Sequence, residues 1–169
     1  MVKRVKWLRY IVAFLLFATI WLLLAGKVNA DELFIGTLVT LLVILLTSSH
    51  LKFLDDIQFT MGMPFSVLQY LLVFFRALIE ANVDMARRVL SPSMPVYPAI
   101  VEVHTELKSP LGKLLLANSI TLTPGTLTVD VLDDTLLVHW IDARGAVDMQ
   151  HTTSLIAGRF EKHLAGIVR

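Results

Sequence analysis

Charged side chains at helical spacing offer the first chemistry to consider, and they follow directly on an apolar run. Arg76, Glu80 and Asp84 recur at intervals of four, so one face of a helix would carry all three. Ionisable groups inside a bilayer are costly and usually functional. A deep helix would use these three to pair with a neighbouring chain or to pass an ion or proton. Alternatively, they mark the point where the helix leaves the lipid headgroups, and we favour this interpretation.

Patterns typical of catalysis or metal binding are weak elsewhere in the chain. There are no cysteines, and the five histidines are scattered, without the acidic neighbours that would complete a metal site. Ser119, Asp130 and His139 could be drawn as a triad, but no nucleophile elbow surrounds the serine. We therefore predict no catalytic residue, no metal site and no cofactor, and a protein that is not an enzyme.

The composition indicates a membrane protein. Of 169 residues, 56% are hydrophobic and 17% are charged, whereas soluble domains have about 45–50% apolar and about 25% charged residues. The apolar excess lies in the first half of the chain. The net charge of +1 gives no sign of a nucleic-acid partner.

Three helices are predicted in residues 1–90, at about 7–26, 31–49 and 64–90. The first two have no charged residue in their apolar cores, and we interpret the first as a retained helix rather than a cleaved signal peptide. Both are near the lower length limit for crossing a bilayer, which takes about 20 residues. They are therefore either transmembrane or re-entrant, with the lipid bilayer as their partner.

The orientation of these helices stays open at this stage. Basic residues near the N-terminus favour a cytoplasmic start, and two spans would return the chain to that side. A third full span would place the rest of the chain outside. Either the third helix does not fully cross, or the first hairpin is re-entrant, or the N-terminus lies outside despite its charge.

A proline-rich connector at residues 91–98 precedes a domain predicted at residues 99–169. Alternation from Val101 to Leu107 predicts a strand, and Ser109 followed by Pro110 is typical of a helix start. Three strands and a final helix, with apolar residues from Leu155 to Ile167, complete the pattern. The sequence thus predicts an α+β membrane protein: N-terminal helices, then a small domain ordered strand, helix, three strands, helix.

The stretch from Ala117 to Trp140 is predicted to form a three-stranded antiparallel meander. Pro124 and Gly125 would close its first hairpin, and Asp133 with Asp134 its second turn. We interpret this motif as architectural, offering an edge or surface to a partner. The hairpin motif comprises Asn118, Thr121, Thr123, Pro124, Gly125 and Thr126.

The same stretch carries a family resemblance. Asn118–Val131 and Leu137–Asp142, preceded by Lys108–Lys113, resemble the E subunit of the Mrp (Mnh/Pha) multisubunit cation/proton antiporters. The resemblance implies a multi-pass protein of a prokaryotic plasma membrane with a cytoplasmic C-terminal domain. It also implies that the other antiporter subunits are its partners. The complex would exchange Na⁺ or K⁺ for H⁺, with the transport chemistry in its large subunits and this chain needed for assembly or activity.

A second hypothesis is a membrane-anchored enzyme or ligand-sensing module with a cytoplasmic α+β domain. The weakness of every catalytic pattern argues against this alternative. Co-purification from detergent separates the two hypotheses, because only the first requires several hydrophobic partners.

Overall fold

The computed structural model describes residues 7–168, which form two compact units, one ending at Asp55 and one beginning at Asp56. The first unit is a helical hairpin of α1 (Leu8–Ala25) and α2 (Ala30–Thr47). Both helices lie within two residues of their predicted bounds. Each is long and apolar enough to cross a membrane, as is α3 (Met63–Leu90) in the second unit.

The hairpin turn follows from its local sequence. Gly26 ends α1 with a φ of +66°, a left-handed conformation that glycine adopts without strain. Asn29 then caps α2, because its Oδ1 accepts the Glu32 backbone N–H at 2.8 Å. The two helices pack closely at Gly36, where a Cβ atom would collide with the Trp21 ring.

In the second unit, a three-stranded antiparallel sheet has the order β1–β3–β2. Its strands are β1 (Ala99–His104), β2 (Thr126–Leu132) and β3 (Thr135–Trp140), and the turn at Asp133 and Asp134 joins β2 to β3 as predicted. The helices are α3, α4 (Pro110–Leu122), α5 (Met149–Ile156) and α6 (Gly158–Leu164). The α+β class is therefore confirmed.

Two details of the predicted order are wrong. The run at Ile120–Thr123, predicted as the first strand of a meander, belongs instead to α4 and its C-cap. The third strand of the sheet is β1, so the observed order is strand, helix, two strands, two helices. The predicted final helix is divided at Ala157 into α5 and α6.

The core of this unit lies between the sheet and its helices, and α3 contributes to it. Buried side chains from β1, β3, α4 and α6 include Val103, Val138, Leu116 and Phe160. Tyr70, Phe74 and Ala77 of α3 pack against them. Because α3 packs on this core, it belongs to the same compact unit as residues 99–169, and the unit boundary precedes α3 rather than falling in the connector at residues 91–98.

Candidate functional site

The predicted charges on α3 form ion pairs along the helix. Arg76 Nε donates to Glu80 Oε1 at 2.8 Å, and Arg88 Nε donates to Asp84 Oδ2 at 2.7 Å. Each pair joins residues four apart, as the spacing predicts. Glu80 and Asp84 are thus each held by an arginine of their own helix.

Both pairs extend to residues far away in the chain. Arg159 of α6 donates through Nη1 to Glu80 Oε2 at 3.3 Å. Arg88 Nη1 donates to Asp142 Oδ2 at 2.6 Å, just after β3. Sequence reasoning did not identify Asp142 and Arg159 as site residues, because no local pattern relates them to α3.

Two groups of ion pairs thus form, one around Glu80 and one around Asp142, and the group around Asp142 is the more buried. The Asp142 side chain is 12% exposed, that of Arg88 is 18% exposed, and Arg144 also donates to both carboxylate oxygens at 2.6 and 2.7 Å. Hydrogen bonds from Arg144, and then from Arg88, hold the pKa of Asp142 far below its usual range. The carboxylate is therefore permanently charged at physiological pH and acts as an acceptor only.

The end of the proline-rich connector contacts the same group of residues around Asp142. The Arg144 guanidinium lies 4.2 Å from the centre of the Tyr97 ring. The Tyr97 backbone donates to the Ile141 carbonyl and accepts from the Ala143 N–H, both at 2.9 Å. Arg88 adds a bond of 2.9 Å to the Pro95 carbonyl. The connector is thus bonded to both α3 and the end of β3.

These residues surround a cleft of about 650 Å³. One wall is the second half of α3, and the others are the turn at residues 123–126, the segment after β3, and helices α5 and α6. Six charged side chains line the cleft, three acidic and three basic. They are Glu80, Asp84, Arg88, Asp142, Arg144 and Arg159. All six take part in the ion pairs above, so the cleft is a charged junction between elements.

The predicted hairpin motif lies partly in this cleft, but it is not a hairpin. Asn118 and Thr121 are on α4, Thr123 caps that helix, and Thr126 begins β2, so Pro124 and Gly125 turn the chain from a helix into a strand. Gly125 has a φ of +95°, and its carbonyl accepts the Ile141 N–H at 2.9 Å. The motif therefore closes one wall of the cleft.

The other candidate groups have structural roles. Ser119 is buried, donates to the Leu115 carbonyl at 2.6 Å, and lies 2.7 Å from the Tyr70 hydroxyl. The hydroxyl of the serine in the hypothetical triad is therefore engaged in structural hydrogen bonds. Within residues 7–168, no three His, Asp or Glu side chains are grouped to hold a metal ion.

Known proteins of one family resemble the chain along most of its length. Residues 14–167 match the profile of a family described as "Na+/H+ ion antiporter subunit". The E subunit of a Na(+)/H(+) antiporter from Alkalihalophilus pseudofirmus is 36% identical over 130 residues, covering 76% of this chain and 80% of the relative. The E1 subunit of such an antiporter from Staphylococcus saprophyticus is 32% identical, with 76% and 79% covered.

A solved structure also matches most of the chain. It is that of the membrane-bound sulfane sulfur reductase, described as an archaeal respiratory membrane complex. One of its chains is 38% identical, with a TM-score of 0.77, over 92% of this chain and 96% of that chain.

Proposed function

The chain belongs to the family of Na⁺/H⁺ antiporter E subunits, and from this we propose that it is an accessory membrane subunit of a multisubunit monovalent cation/proton antiporter. Its partners are then the other subunits of that complex, which together exchange Na⁺ or K⁺ for H⁺. The observation that carries the proposal is the match, along three quarters of the chain, of relatives that are named as E or E1 subunits. The alternative of a membrane-anchored enzyme or sensor has no such support.

The geometry favours a role in assembly over one in ion transfer. The acidic side chains of α3 are bound by arginines of α3 and α6, and Asp142 by Arg88 and Arg144. A carboxylate that relays protons must change charge during turnover, whereas hydrogen bonds from arginines lower the pKa of Glu80 and of Asp142 and so favour their charged forms. These ion pairs attach α3 and the connector to the α+β fold, which suits a subunit that presents a fixed surface to its neighbours.

We further propose that the C-terminal unit lies on the cytoplasmic side. Support comes from α6 and the residues that follow it, which pack against α3. Arg159 of α6 bonds Glu80, and Gly166, two residues after α6, lies against Ser66. If this part of α3 crossed the bilayer, the charged side chains of α6 would enter the hydrocarbon with it, at about 2.5–3.5 kcal/mol each at the membrane centre. With α3 outside the hydrocarbon core, α1 and α2 are the two membrane crossings. The basic residues near the N-terminus then favour the cytoplasmic side for both ends of the chain.

Co-purification of the tagged full-length chain from mild detergent tests the function. We expect several hydrophobic antiporter subunits in stoichiometric amounts, and loss of cation-dependent proton exchange in vesicles from cells lacking this chain. A chain that purifies alone from membranes with normal exchange would contradict the proposal. A reporter fused after Arg169 tests the side separately, and we expect a cytoplasmic signal.

A second candidate function is favoured by one observation. The solved structure that covers 92% of the chain is a respiratory complex rather than a separate antiporter. In this alternative the chain is the corresponding component of a redox-linked membrane complex. The same co-purification distinguishes the two, since redox-active subunits among the partners would indicate the respiratory complex.

A further inference from the structure

The exposed face of α3 carries an apolar stripe along most of the helix. Its residues recur at intervals of three and four, which places them on one side. They are 43–65% exposed although all are large and apolar. The stripe comprises Phe65, Leu68, Leu72, Phe75, Ile79 and Val83.

The opposite face of α3 is already covered. Tyr70, Phe74 and Ala77 pack on the core of the α+β fold, with the Phe74 and Phe160 ring centres 6.4 Å apart. Helix α3 is thus apolar on two sides, and within its own compact unit only one of them is covered. Exposing such a stripe to water is unfavourable, so it requires a second apolar partner.

We propose that this stripe lies in the lipid bilayer, with α3 parallel to the membrane surface and the α+β fold held on its aqueous side. The arrangement is that of an interfacial helix, whose apolar face enters the boundary between headgroups and acyl chains. Residues 48–62 connect the hairpin of α1 and α2 to α3, so the stripe is within reach of the membrane that the hairpin enters. The inference rests on the proposed cytoplasmic placement and deepens it, because it states how the C-terminal unit meets the membrane.

The side-chain types on the stripe favour lipid over a partner helix. Packed helices in membranes bring small residues to their contact, so that their backbones approach closely. The stripe instead has phenylalanine, leucine, isoleucine and valine at all six positions. The test below also distinguishes the alternative, in which a helix of another subunit covers the stripe.

A row of polar residues runs beside the stripe and fits the headgroup level. The row comprises Gln69, Arg76, Glu80 and Arg87, spaced seven, four and seven apart. Arg76 Nε bonds Glu80, but the side chain is 81% exposed, so the rest of its guanidinium can reach lipid phosphates while its stem lies along apolar surface. The polar row thus limits how deeply α3 enters the bilayer.

Site-directed spin labelling tests the inference, and a chain without cysteine is a suitable background. Single cysteines replace Leu68, Leu72, Ile79 and Val83 on the stripe, with Gln69→Cys and Arg87→Cys as matched controls on the row. Each full-length variant is labelled in the complex, isolated through a partner subunit and placed in nanodiscs of phosphatidylcholine and phosphatidylglycerol. The complex with the cysteine-free chain gives the background signal. Collision rates with oxygen and with a water-soluble nickel chelate then report depth at each site.

We expect a severalfold higher oxygen-to-nickel ratio on the stripe than on the row, at similar levels from position 68 to position 83. A ratio that instead rises and falls along the helix on both faces would show that α3 crosses the membrane and would overturn the inference. Low collision rates with both reagents on the stripe would show a protein partner and would also overturn it. An external signal from the C-terminal reporter with the expected profile would reject only the proposed side, so the two failures are distinguishable.

Discussion

Arg88 and Asp142 join the last turn of α3 to the end of β3, with 2.6 Å between Nη1 and Oδ2. Both side chains are mostly buried, and the same arginine also bonds the Pro95 carbonyl of the connector. One guanidinium thus ties together three segments that are separated in sequence. The planar fork of arginine suits this task, because its donors point in fixed directions.

We expect Arg88→Leu and Asp142→Asn to destabilise the C-terminal unit, and their effects to be strongly non-additive. The coupling free energy should be about 1.5–3 kcal/mol, the range for hydrogen bonds to charged groups. The measurement is urea unfolding of the full-length chain in detergent, followed by fluorescence of Trp140 after Trp7 and Trp21 are replaced by phenylalanine.

A matched control for this cycle is the pair of Arg76 and Glu80, which is also an arginine–carboxylate pair but has side chains 81% and 50% exposed. Its coupling should be clearly smaller, because water competes for exposed ion pairs. Equal couplings in the two cycles would mean that the contact between Arg88 and Asp142 does not stabilise the junction.

How far the sequence predicts this fold depends on how local the signals are. Ser109 followed by Pro110 predicts a helix start, and the Ser109 Oγ indeed accepts the Gly112 N–H at 3.1 Å. The predicted turn at Asp133 and Asp134 is likewise present. Both features are set by residues within a few positions, so the sequence pattern alone is sufficient.

The alternating run at Ile120–Thr123 is helical as far as Leu122, because packing overrides its β propensity. Leu116 and Ile120 are one helical turn apart and both are buried under the sheet, and α4 continues through Thr121 to Leu122. Thr123 Oγ1 then donates back to the Ser119 carbonyl at 2.8 Å. The charged junction was also beyond prediction, since Asp142 and Arg159 meet α3 only through the tertiary fold.

The second prediction concerns Gly125. Its φ of +95° is unfavourable for a residue with a Cβ atom, and that atom would lie 3.1 Å from Ile141 Cγ2. Gly125→Ala should therefore lower the free energy of unfolding by about 1–3 kcal/mol. Gly62→Ala adds the same methyl group where nothing lies within 4 Å and should have little effect. Similar protease resistance of the two variants in the assembled complex would contradict the strain at Gly125.

The third prediction concerns acid stability. Hydrogen bonds from Lys108, and then from Lys113, lower the pKa of Asp134 to about 2, whereas an unfolded aspartate has a pKa of about 3.9. The stabilisation is therefore complete above about pH 4 and is lost as the pH falls towards about 2. We expect the thermal unfolding temperature of the full-length chain to fall over this interval, and Asp134→Asn to flatten part of the decrease. Asp130→Asn is the control, and an identical pH profile for Asp134→Asn and the unsubstituted chain would refute the assignment.

The last prediction separates a structural from a chemical role for α3. Glu80 accepts hydrogen bonds from Arg76 and Arg159, so its carboxylate is bound on both oxygens. Glutamine has nearly the same shape but cannot carry a proton by changing charge, so Glu80→Gln would abolish a relay through this residue. We expect the variant to retain substantial cation-dependent proton exchange in membrane vesicles when the amount of complex is matched. Asp142→Asn, which weakens the junction, should reduce the amount of assembled complex while leaving exchange per complex similar. Loss of exchange in a fully assembled Glu80→Gln complex would instead place α3 in the transport path.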